Sequence, residues 1–258
     1  MITSLANEKV KFARSLGLKK NRAAHRQFVV EGTRVIEEAE RAGVTPALVF
    51  FEPEAVSAAP RAGDLLARLQ VRTREVYPVA PNVLTALAQT ETPQGLLAVY
   101  PFPAMPFPAD PDFVLILDAL RDPGNLGTIL RTAWAAGVAT VLLAPGSADP
   151  YNPKVVRAAM GAHFFLPIRL LPWNEIARLL GSVPRVYLAD AQGQVNYAQA
   201  DWSRPCALII GGEAEGASAA ARDLAPTRLF IPMPGHAESL NAAVAAGILL
   251  FRGVAGNE

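Results

Sequence analysis

Short runs that are apolar at almost every position constrain this chain more than any other feature. In its second half they are FVLILD (113–118), TVLLA (140–144), VYLAD (186–190), ALII (207–210) and LFI (229–231). A strand with one wet face alternates apolar and polar residues; a strand covered on both faces does not. Segments with helical patterning fall between and after them, at 126–136, 153–162, 173–180, 218–224 and 242–252. This alternation predicts an α/β fold with a mostly parallel sheet.

The first half alternates too, less regularly. FVVEG (28–32), ALVFF (47–51) and GLLAVY (95–100) read as strands, and 4–18, 33–42 and 63–70 as helices. Ser4 is placed to cap the first helix and Gly43 to stop the second. Between the halves, Pro101, Pro103, Pro106, Pro108 and Pro111 crowd one stretch that can continue neither a helix nor a central strand. The expected organisation is a smaller domain at 1–100, a proline-rich linker at 101–112, and a second domain at 113–258.

A chain of 258 residues, 51% hydrophobic and 18% charged, has enough apolar material for two cores and does not read as disordered. No apolar run approaches the roughly 18 residues of a membrane span. Lys9 and Lys11 stand where a signal peptide would be apolar, so a cytoplasmic protein is expected, with no membrane partner. Cys206 is the one cysteine, so no internal disulfide is possible, and its place before ALII predicts core packing. The net charge of +1 hides an asymmetry: residues 1–26 hold seven basic residues against the single acid Glu8, a local +6. Such an end suggests an anionic partner such as nucleic acid, although a solvated helix face would look the same.

The usual cofactor signatures are missing. There is no G-x-G-x-x-G after a first strand, no phosphate-cradling P-loop and no G-x-S-x-G elbow. His25, His163, His236 and Cys206 have no metal-ligand spacing, and no metal is expected. Three polar, glycine-rich segments do sit beside apolar runs: DPGNLGTILRTA (122–133), IGGEAEGAS (210–218) and IPMPGHAESLNAAVA (231–245). Small residues and neutral polar groups around one arginine suit chemistry carried by a cofactor, with the protein supplying position and electrostatics. Read singly, the same residues are ordinary. Asp122 and Pro123 start a helix, Arg131 lies on one, Glu213 favours a helix N-terminus, and Ser239 or Asn241 could cap the last helix.

Together and in this order, the three motifs resemble those of the SpoU (TrmH-type) RNA ribose 2′-O-methyltransferases of the SPOUT class. The likeness is specific over residues 113–253 and looser over 3–99, where ITSLANEKVKFARSL and FVVEGTRVIEEA resemble the substrate-binding domain often found before SpoU catalytic domains. It implies a C-terminal trefoil-knotted SPOUT domain and a smaller N-terminal α/β domain similar to an RNA-binding ribosomal protein. It implies S-adenosyl-L-methionine as cofactor and methylation of structured RNA, most readily ribosomal RNA of the 23S type. A tRNA 2′-O-methyltransferase and a non-catalytic RNA-binding or ribosome-assembly factor on the same fold are the alternatives. A homodimer through the C-terminal domain is also implied.

Carried over residue by residue, the likeness makes Asn125, Arg131, Glu213, Ser239 and Asn241 the catalytic set. Gly211, Gly212, Ile231 and Leu240 would hold the cofactor through backbone, the glycines letting the chain approach it closely. Lys19, Lys20, Arg22, His25 and Arg26, with Lys154 and Arg157 of NPKVVRAAMGA, would contact RNA. Because guanidinium is effectively always protonated, Arg131 is better suited to orient the hydroxyl and stabilise developing oxyanion charge than to act as a base. Trp134 and Met160 depart from the family pattern.

Overall fold

The computed structural model describes residues 1–213, 216–235 and 237–256. The chain opens with α1 (Glu8–Ser15), α2 (Lys19–His25), β1 (Gln27–Glu31), α3 (Thr33–Arg41), β2 (Leu48–Phe51) and α4 (Pro53–Ser57). It continues with α5 (Pro60–Arg72), β3 (Val76–Pro78), α6 (Pro81–Leu87) and β4 (Leu96–Pro101). Then come β5 (Phe113–Asp118), α7 (Pro123–Ala135), β6 (Thr140–Leu143), α8 (Pro153–Ala159), β7 (Ile168–Leu170) and α9 (Trp173–Leu180). The last elements are β8 (Arg185–Ala189), β9 (Val195–Asn196), β10 (Cys206–Gly211), α10 (Ala219–Leu224), β11 (Thr227–Phe230) and α11 (Ala242–Ala255).

These elements form two compact units. The first is Met1–Ala104 with Tyr151–Phe164, and the second is Met105–Pro150 with Phe165–Glu258. The first unit holds a mixed sheet in the order β1-β4-β2-β3, with β4 antiparallel to both neighbours and β3 parallel to β2. Val10, Leu16, Phe50, Val83, Leu97 and Val99 pack its core. The segment 151–164, expected inside the second domain, groups here because Phe28 is buried among the rings of Tyr151 and Phe164, 5.0 and 5.8 Å away. Helix α1 is shorter than expected and is capped by Asn7, which accepts the Lys9 N–H at 3.0 Å; Ser4 instead accepts the Ala6 N–H of the preceding turn.

In the second unit all seven strands run parallel, in the order β7-β6-β5-β10-β8-β11-β9. Val114, Ile116, Leu142, Leu188 and Ile209 are buried together, as the uninterrupted apolar runs require. Cys206 is fully buried at the start of β10, and burial pushes its thiol up to about 11. The register sets Asp118 beside Gly211, Ile210 beside Ala189, and Leu229 beside Ala189. The carboxyl ends of β5, β10, β8 and β11 therefore lie side by side. The chain reverses its direction of travel across the sheet there, and open α/β sheets hold ligands at such points.

Candidate active site

Helix α7 starts where its sequence dictates. Asp122 caps it by accepting the Asn125 N–H at 2.7 Å, and Pro123 occupies the first turn. This holds Asn125 at the helix start, with its side chain in a chain of hydrogen bonds. Its Nδ2 donates to Glu213 Oε1 at 2.9 Å, and its Oδ1 accepts from Asn241 Nδ2 at 2.9 Å. Asn241 in turn caps α11, its Oδ1 accepting the N–H groups of Ala243 and Val244 at 2.9 and 3.3 Å. These partners fix the amide orientations. Asn241 must present oxygen to the helix, so it donates to Asn125, and Asn125 donates to the carboxylate. One network thus joins one residue from each of the three motifs.

The network borders a cavity of about 940 Å³ at the carboxyl ends of the strands. Gly211, Gly212, Glu213, Ile231, Ser239, Leu240 and Asn241 all line it. A nucleoside-sized ligand fits a space of this order. Arg131 stands elsewhere. It lies six residues past Asn125, about 120° around the helix, and is exposed, with no partner among the described residues and no place in the cavity lining. Ala214 and Glu215 of the second motif and His236 of the third lie outside the described residues.

The two glycines line the cavity, but the structural need for them is different from close approach to a ligand. A Cβ on Gly211 would stand 2.6 Å from Ala217 N, and one on Gly212 would stand 2.6 Å from Ala119 O. The backbone itself leaves no room there. Ala119 has φ 52°, uncommon for a residue with a side chain, in the turn that presses on Gly212. Just before it, buried Asp118 accepts the Ser218 N–H at 2.6 Å and ties the end of β5 to the start of α10. Sequence reasoning passed over Asp118, although a carboxylate closing an otherwise apolar strand was a usable signal. It also passed over Asp190, Arg222, Arg228 and Met233, which line the same cavity.

In the first unit, Lys19, Lys20, His25 and Arg26 are exposed, as are Lys154 and Arg157 on α8. His25 packs edge-on against Phe12, and Arg26 stands 5.7 Å from the Phe102 ring centroid. Arg22 requires a correction. It is 3% exposed, and its Nη1 donates to the carbonyls of Leu16 and Gly17 at 2.7 and 2.8 Å, so it fastens the α1–α2 turn and is not available to RNA. Part of the local positive charge is likewise engaged: Lys9 pairs with Glu75 at 2.7 Å and Lys11 with Glu8 at 2.9 Å. Trp134 stacks on Phe165 at 4.8 Å, and Met160 ends α8 in a left-handed conformation with φ 50°.

Residues 112–251, more than half of the chain, match the SpoU rRNA Methylase family. The chain belongs to this family. Residues 7–98 match the MRM3-like substrate binding domain. The 23S rRNA (guanosine(2553)-2′-O)-methyltransferase RlmP of Bacillus subtilis (strain 168) is 36% identical over 253 residues, covering 97% of both chains. The AdoMet-bound rRNA methyltransferase of Sinorhizobium meliloti has a TM-score of 0.86 at 31% identity, over 98% of this chain and 96% of that one. The SpoU methyltransferase AviRb of Streptomyces viridochromogenes, in complex with the cofactor AdoMet, also has a TM-score of 0.86, at 32% identity over 96% of this chain and 97% of that one. The α/β fold with its parallel sheet is the fold of these SpoU enzymes.

Proposed function

We propose that this protein transfers the methyl group of S-adenosyl-L-methionine to a ribose 2′-hydroxyl of ribosomal RNA, of the 23S type. The observation that carries the reading is the Glu213–Asn125–Asn241 network at the border of a nucleoside-sized cavity. Its support is membership in the SpoU family and likeness to full-length relatives that act on rRNA. The donor set fits the cofactor: Gly211, Gly212, Ile231 and Leu240 offer backbone and apolar surface around the cavity. The bound cofactor supplies a methyl already activated by its sulfonium, so what the chain must add is position.

Glu213, Asn125 and Asn241 hold one another rigidly and, with the Ser239 hydroxyl, offer donors and acceptors to the acceptor ribose. Arg131 does not line this cavity, and the part proposed for it, orienting that hydroxyl with its adjacent phosphate and stabilising developing oxyanion charge, is supported by the family resemblance alone. Lys19, Lys20, His25, Arg26, Lys154 and Arg157 contact RNA phosphates. The 1–100 region serves as the RNA-binding domain, 101–112 as its linker and 113–258 as the methyltransferase domain, apart from the segment 151–164, which groups with the first unit. The insertion of β10 between β5 and β8 supports the trefoil knot we propose for the latter.

A homodimer through the second unit is supported by α11, where Val244 and Phe251, seven residues apart and so on one face, are 53% and 50% exposed. No helix among the described residues is long and apolar enough to cross a membrane. Ribosomal RNA as substrate makes the cytoplasm the proposed location. Calorimetry with S-adenosylmethionine, followed by transfer of its labelled methyl to 23S rRNA lacking the modification, tests the reading. Binding and transfer are expected; a protein that binds no cofactor overturns it.

A further inference from the structure

We infer that Asp190 receives the ribose hydroxyls of the nucleoside cofactor and that Arg228 positions Asp190 to do so; this rests on the cofactor reading above. The charged side chains lining the cavity among the described residues are Asp190, Glu213, Arg222 and Arg228. Glu213 is engaged with Asn125 and, at 3.4 Å, with the Arg121 N–H. Asp190 is placed differently. It follows β8 directly, and its N–H donates to Leu229 O at 2.9 Å, which fixes its backbone between β8 and β11. Its Oδ1 accepts the Gln192 N–H at 2.9 Å. Its Oδ2 meets Arg228 Nη1 only at 3.8 Å, beyond hydrogen-bond length. The Asp190 and Arg228 side chains are 24% and 38% exposed, both half-buried at the cavity wall.

A carboxylate with open acceptor positions suits a vicinal diol, whose two hydroxyls need acceptors; acidic residues hold adenosine ribose this way in dinucleotide folds. Arg228 decides between a diol and the other polar group a sulfonium nucleoside carries, its ammonium. The guanidinium already balances the Asp190 charge and would repel a second cation, whereas a neutral diol meets no such repulsion. Ala189, Leu229, Ile231 and Leu240 border the same cavity and offer apolar surface to the base beside that ribose. Glu213, Asn125 and Asn241 are left for the reacting end.

The test is calorimetry without RNA, which excludes a ribose of the substrate. The ligands are S-adenosylhomocysteine, 5′-methylthioadenosine, which lacks the amino-acid end, and the 2′-deoxy form of the latter. The proteins are wild type, D190N and R228K. D190N is expected to weaken the first two ligands by the same factor, roughly ten- to a hundredfold for a charge-assisted hydrogen bond. The deoxy ligand should bind wild type more weakly than its parent and lose less than its parent in D190N, because only its 3′-hydroxyl still meets the carboxylate, and R228K should keep most of the affinity. A loss confined to S-adenosylhomocysteine would assign Asp190 to the ammonium and overturn the inference. So would wild type that fails to distinguish the deoxy ligand, whether or not D190N folds. Wild type that binds none of the three overturns the cofactor reading itself.

Discussion

Arg131 and Cys206 are single residues whose behaviour follows from their surroundings. Arg131 is exposed and outside the cofactor cavity. Arg131→Ala should therefore leave S-adenosylmethionine affinity and thermal stability near wild type while lowering methyl transfer about 10²–10³-fold, the usual effect of deleting an oxyanion donor. Equal losses of affinity and rate would place Arg131 in cofactor binding instead. For Cys206, burial raises the thiol to about 11, so the folded state disfavours the thiolate. The resulting stability is whole below the unfolded thiol pKa of about 8.5 and is lost as pH rises through about 11. At pH 8 an alkylating reagent should label the native protein hardly at all and the denatured chain quickly; rapid native labelling would refute this. The motif residues were legible through the order of the three motifs and their resemblance to the SpoU family, because singly Asn125, Glu213 and Asn241 read only as helix caps and helix starts. Arg22 misled because a positive charge in sequence says nothing about whether carbonyls will take it up.

At the scale of elements, the long buried strands and capped helices read correctly. β5, β6 and β8, together with helices α10 and α11, start within a residue of expectation, while α7 starts at Pro123, three residues before the expected 126. Each of those helices begins with a side-chain cap, from Asp122, Ser218 and Asn241 respectively. The short elements α2, α4, α6, β3, β7 and β9 were not foreseen, because a few residues carry no measurable period. Pro53 and Pro81, at the starts of α4 and α6, were a signal left unread.

Two substitutions test how these elements meet. Asn241→Ala removes the cap of α11 and the bond to Asn125, and should cost about 1 kcal/mol or more by denaturant unfolding. Gly212→Ala forces a Cβ against the Ala119 carbonyl and should destabilise by about 1–3 kcal/mol. A Gly212→Ala protein as stable as wild type would show that the turn at Ala119 can yield.

For the whole molecule, two surfaces carry expectations. The α11 face with Val244 and Phe251 should hold two copies together, so Phe251→Glu is expected to yield monomers by sedimentation; an unchanged mass would move the interface elsewhere. The exposed cations of the first unit should make RNA binding salt-dependent, and Lys19→Ala with Lys20→Ala should weaken all RNA sequences alike and flatten the salt slope by roughly 0.7–0.9 per lost phosphate contact. The central claim is the chemistry itself, a methyl group on a ribose oxygen of ribosomal RNA. It is tested most directly by incubating 23S rRNA lacking the modification with the protein and labelled S-adenosylmethionine, digesting to nucleosides and identifying the labelled product by mass spectrometry. The expected result is a single 2′-O-methylated nucleoside, present with wild type and nearly absent with Arg131→Ala. Label on a base, or none on RNA despite bound cofactor, would contradict it.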